Sequence, residues 1–77
     1  MILPNKLIPF KKSTLYKTIF ILNELSVQNF PISGLFTQVS EYFEDINEYI
    51  IALDVLFVLN CISYDEQSGV IKYVREN

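Results

Sequence analysis

From Tyr49 to Leu59 the chain reads Tyr-Ile-Ile-Ala-Leu-Asp-Val-Leu-Phe-Val-Leu: ten apolar residues in eleven, interrupted only by Asp54. This run is far shorter than the ~20 residues that span a bilayer. It is bounded by helix signals. Asp45 and Glu48 fit the acidic form of a capping box, and Asn60 can take the left-handed conformation that ends a helix. The spacing therefore predicts a helix from Ile46 to about Asn60, with Ile46, Ile50, Leu53 and Phe57 as its core stripe. Ile51, Val55, Val58 and Leu59 fill much of the remaining circumference. A helix that is apolar all round is buried all round. The chain has only 77 residues, 51% of them apolar, and a domain this small buries about 60% of its unfolded surface. Either another protein covers the outer side of this helix, or the rest of the chain does; the small size favours the partner.

The other elements follow from local signals. Residues 1–12 hold the pairs Ile2-Leu3 and Leu7-Ile8 beside Pro4 and Pro9, which predicts an extended N-terminal arm. Ser13 is a good N-cap for a helix to about Leu25, with Leu15, Ile19 and Leu22 on its apolar stripe and Lys17, Asn23 and Glu24 opposite. Residues 26–32 break the pattern, and Pro31 confirms it. Ser33 then caps a second helix of about ten residues, with Leu35, Val39 and Tyr42 on one face and Phe36 and Phe43 on another. Glu44 and Asp45 form so short a connection that the second and third helices read as a helix-turn-helix. Ile62–Asp65 and Val70–Val74 are strand-like around Glu66-Gln67-Ser68-Gly69, where Gly69 supplies a positive φ. Three helices followed by a hairpin is the winged-helix order: an α+β domain over residues 13–77, preceded by the arm at 1–12.

The composition excludes most catalytic equipment. There is no His, and Cys61 is the single cysteine, so the usual general base and a thiolate zinc site are missing. Cys61 follows an apolar run and is expected to be buried and inert. No cofactor or metal site and no small-molecule substrate are expected. Calcium-loop spacing and phosphate-binding Gly loops are absent, and the acids Glu41, Glu44, Asp45 and Glu48 read as a solvated, helix-capping set. The single cysteine favours a reducing, cytoplasmic compartment. Residues 1–12 lack the continuous apolar segment of a signal peptide.

Charge decides against one obvious role. Lys6, Lys11, Lys12 and Lys17 precede every acid, and no basic residue occurs from Thr18 to Ile71. A winged helix that reads DNA needs Arg, Lys, Asn or Gln on its third helix and basic residues for phosphates. Here that helix offers Glu48 and Asp54, so sequence-specific nucleic-acid binding is not expected. The runner-up is still a DNA-binding regulator that dimerises through its apolar helix. A third possibility, an inhibitor mimicking DNA with its acidic body, fits poorly because the apolar helix breaks up the carboxylate array. Asp54 has three readings: an anchor for a partner's Arg or Lys, a hydrogen-bond partner of the arm, or a solvent-facing residue.

The opening Ile2-Leu3-Pro4-Asn5-Lys6 and the helix Ala52-Leu53-Asp54-Val55-Leu56-Phe57-Val58-Leu59-Asn60, with its hairpin, resemble the small middle component of bacterial ABC-three-component systems. That group includes Lamassu anti-phage defence. The resemblance covers nearly the whole chain, with one departure: Asn60 stands where members carry Gly. It implies a non-enzymatic winged-helix adaptor that joins an SMC- or Rad50-like ATPase to an effector nuclease and helps hold the effector inactive. ATP hydrolysis and DNA cleavage would belong to those neighbours. The expected partner-binding residues are Ile2, Leu3, Pro4 and Lys6 of the arm, and Ile51, Asp54, Val55 and Val58 of the third helix.

Overall fold

Ser13 opens the described part of the chain, residues 13–75 of a computed structural model. Its side-chain oxygen accepts the Tyr16 N–H at 3.1 Å and starts α1, Thr14–Val27. Pro31 is the N-cap of α2, Ile32–Val39, so this helix begins before Ser33. The fixed φ of proline suits such a helix start, and its missing N–H costs nothing there. A 3-10 turn over Ser40–Tyr42 follows. Next comes α3, Ile46–Val58, capped by Asp45, whose carboxylate accepts the Glu48 N–H at 2.9 Å. Glu48 reaches back to the N–H of Glu44, one residue before the cap.

The end of α3 is a full Schellman motif. The Asn60 N–H donates to Phe57 O at 3.0 Å and the Cys61 N–H to Leu56 O at 2.9 Å, with Asn60 at φ 61. Asn is among the few non-glycine residues that tolerate this conformation.

The hairpin pairs β1, Ile62–Asp65, with β2, Val70–Tyr73, in antiparallel register, Ile62 opposite Tyr73 and Tyr64 opposite Ile71. Gly69 takes φ +73, and Asp65 accepts the Gln67 N–H at 3.0 Å to tighten the loop. Phe30, in the connection between α1 and α2, exchanges backbone hydrogen bonds with Ile71. This third, one-residue strand completes the winged-helix arrangement: three helices with a β wing stitched back to the first connection.

Ile21, Leu25, Leu35, Val39, Phe43, Tyr49, Ala52, Leu53, Leu56, Ile62 and Ile71 form the core. Two helices are rotated from the sequence-based expectation. On α1 the buried positions are Lys17, Thr18, Ile21 and Leu25, whereas Leu15 is 57% exposed and Ile19 is also exposed. On α3 they are Tyr49, Ala52, Leu53 and Leu56, whereas Ile46 is 53% exposed and Ile50 is exposed. Tyr42 is exposed too, but its ring stacks on Phe20 of α1 at 3.8 Å. Cys61 is half-buried rather than buried.

Tyr49 and Lys17 account for both rotations. Tyr49 is fully buried, and its hydroxyl donates to Ile32 O at 2.7 Å. Its ring packs between Phe36 and Phe43, which turns the Tyr49 side of α3 inward. Lys17 lies over the Phe43 ring and reaches both carboxylate oxygens of Glu48, at 2.8 and 3.0 Å. Its aliphatic stem is thus buried while its charge is neutralised.

Candidate protein interface

With α3 rooted by Tyr49 on one side and tied to α1 by the Lys17–Glu48 pair, its opposite side is left in solvent. Ile51, Asp54 and Val58 recur there at spacings of three and four, which places them on one helical face. Ile51 is 55% exposed and Val58 83%. Asp54 is exposed and Val55 half-buried. Together with Leu59 these residues line an open groove of about 300 Å³. The structure thus brings together all four α3 residues singled out from the sequence and adds Leu59. Ile2, Leu3, Pro4 and Lys6 lie outside the described residues.

Asp54 sits among these apolar side chains with no hydrogen bond or ion pair to any described residue. Glu48 contrasts with it. Partial burial acts to raise the pKa of Glu48, but the Lys17 ammonium and the Glu44 N–H outweigh this and hold its carboxyl below the usual range. The two carboxylates of α3 therefore differ in role. Glu48 fastens the helix to α1, whereas Asp54 is available to a ligand.

These titrations set the pH dependence of folding. A carboxyl whose pKa is depressed in the folded state contributes stability above its unfolded pKa, and that stability is lost as pH falls through the folded value. Burial pushes the Tyr49 hydroxyl up to about 12, so its contribution is full below the unfolded value of 10 and disappears as pH rises toward 12. Stability should therefore be flat near neutrality, decline below about pH 4.5 and decline again above about pH 10. Urea midpoints measured across pH test this. Glu48→Gln should flatten the acid limb; an unchanged acid limb in that variant contradicts the assignment.

A second groove, of about 540 Å³, lies between α2, the start of α3 and the wing. Ile32, Ser33, Phe36, Thr37, Ile46, Tyr49 and Tyr64 line it. Sequence reasoning assigned Ile46 to the core and did not anticipate this groove. The one available signal was that Ile46 and Ile50 compete with Tyr49 for the inner side of α3.

Among the described residues, no three His, Cys, Asp or Glu side chains gather where they could hold a metal ion. No helix there is long and apolar enough to cross a membrane. From residue 13 to 75 the chain carries three basic residues against eight acidic ones. Lys17 and Lys72 are each paired with a carboxylate. The exposed side of α3, which would enter a DNA groove, carries Asn47 and Asp54 among apolar residues, and no Arg or Lys.

The structure is a small winged-helix-like domain whose third helix presents an apolar face centred on an acid and without a basic residue. Residues 3–71 match the family described as ABC-three component (ABC-3C) system Middle Component 7. The chain belongs to that family, and so is a middle component of a multi-component system. No curated protein and no solved structure matches it.

Proposed function

We propose that this chain is a non-enzymatic adaptor subunit of a Lamassu-like anti-phage complex. In this role it bridges an SMC- or Rad50-like ATPase and an effector nuclease and helps hold the effector inactive. Family membership supplies the multi-component setting. The observation that carries the adaptor role is the exposed groove of Ile51, Asp54, Val55, Val58 and Leu59 on α3. Burying one such aliphatic side chain contributes about 1.5–3 kcal/mol, set against the costs of association. The arm residues Ile2, Leu3, Pro4 and Lys6 form the second proposed contact. Phosphates would meet the carboxylate of Asp54 on the reading face of α3, which argues against the DNA-binding regulator.

Val58→Asp and Val55→Asp test the surface. Val58 is almost wholly in solvent, so its substitution leaves the core untouched. Each variant, co-expressed with the genes flanking its own, is expected to lose at least tenfold in co-purification with the ATPase and effector, as burying an unpaired charge at an interface requires. Recovery of both variants at wild-type stoichiometry would remove this groove from consideration.

A further inference from the structure

Spacing within the α3 groove limits what can cover it. Ile51, Val55 and Val58 stand four and then three residues apart, the alternation of the apolar seam between paired helices. Asp54 and Leu59 lie on the two flanks of that seam, where charged side chains of paired helices set partner choice and orientation. From Ile51 to Val58 the seam runs ~10 Å, two turns of helix. A second helix laid along α3 matches this spacing. An extended strand repeats every two residues and would fall out of step with it.

Charge narrows the occupant further. Along the helix axis Asp54 lies between Ile51 and Val58, so an occupant long enough to cover both passes over its carboxylate. Taking that charge out of water without a partner is costly. The occupant therefore has to bring a cation to this flank.

A second copy of the described chain brings none. α3 carries no Lys or Arg, so a facing α3 offers Asp54 no counter-charge in any register. The antiparallel register that sets Ile51 against Val55 of the other copy brings the two Asp54 carboxylates together, and like charges repel. The basic residues among 13–75 are engaged elsewhere. Lys17 pairs with Glu48 and Lys72 with Asp65, while Arg75 donates to Ser26 O and lies over the Tyr73 ring.

We infer that the α3 groove receives an α-helix of another subunit, apolar where it meets Ile51, Val55 and Val58, with one Arg or Lys on its flank paired to Asp54. The aliphatic residues supply affinity, and the ion pair fixes register and disfavours self-association. This inference rests on the partner surface proposed above and adds the chemistry of its occupant.

The test uses the complex assembled by co-expression with the flanking genes. A photo-cross-linker at position 58 marks the partner segment that lies on the groove. That segment should be helical, with an Arg or Lys within one turn of the cross-linked residue. Asp54→Lys should lower co-purification about tenfold or more, and changing that Arg or Lys to Glu should restore it. Asp54→Asn should weaken the complex less and make its affinity insensitive to added salt. Asp54 is exposed, so both variants should keep the wild-type urea midpoint. Wild-type recovery of Asp54→Lys overturns the inference. So does a loss that reversal of the partner's base leaves unrepaired. A cross-link from position 58 to this chain itself, in the same or a second copy, overturns it too, as does one to an extended segment or to a helix without that base.

The two proposals fail distinguishably. If Val58→Asp is shed from the complex while Asp54→Lys is recovered as wild type, the partner surface stands and the ion pair falls. If Val55→Asp and Val58→Asp are both recovered at wild-type stoichiometry, the partner surface itself falls.

Discussion

Replacing Tyr49 with Ala is expected to lower the unfolding free energy by about 3–5 kcal/mol. Tyr49 has no solvent exposure, packs against Phe36 and Phe43, and fastens α3 to the first residue of α2 through its hydroxyl. Truncation leaves a cavity at the meeting point of two helices, and the neighbouring rings cannot collapse into it without moving α3. A domain of this length has roughly 4–12 kcal/mol in total, so the variant should be close to unfolding at room temperature. Tyr49→Phe keeps the ring and removes only the hydrogen bond, at a cost of about 0.5–1.5 kcal/mol. Urea denaturation followed by circular dichroism separates the two. A loss below about 1 kcal/mol for Tyr49→Ala would mean that Tyr49 does not root α3.

The next largest effect is expected at Lys17. Its ammonium makes two charge-assisted hydrogen bonds to Glu48, with both side chains mostly shielded from solvent. Lys17→Ala strands a partly buried carboxylate and should cost about 1.5–3 kcal/mol. Residual exposure of both groups keeps the cost below that of a fully buried pair. Glu48→Gln should partly rescue Lys17→Ala, because the remaining group is then neutral. A double-mutant cycle measures this coupling; additivity within ~0.5 kcal/mol would show that the pair is incidental. The pair also bears on the proposed interface, because it fixes the face of α3 that is turned away from α1.

What could be read from the sequence divides along physical lines. The Asp45 cap, the left-handed Asn60, the Gly69 turn and the strand limits are local chemistry, settled within three or four residues. They were legible, apart from shifts of one or two residues at element ends. The rotation of α1 and α3 was not. A helix apolar around most of its circumference carries little information about which side faces in. Lys17 looked like a solvent residue because its partner lies 31 positions away, and Tyr49 was chosen over Ile46 and Ile50 through a bond to Ile32. Phe30 was read as part of a break because a strand of one residue has no period. The same apolar excess that hid the rotation pointed to an outward-facing apolar surface. Residues surplus to the core had to face outward, and Ile51, Asp54, Val55 and Val58 do line one groove.

Membership of the middle-component family places this chain in a multi-component system. The proposed adaptor role requires that the outer side of α3 be covered there by another subunit. The most direct measurement is site-specific photo-cross-linking from position 58 within the assembled complex, with position 64 on the wing as comparison. A strong cross-link from position 58 to the ATPase or effector, much weaker from position 64, is the expected result. Strong cross-linking from position 64 with none from position 58 would contradict it and move the interface to the groove between α2, α3 and the wing.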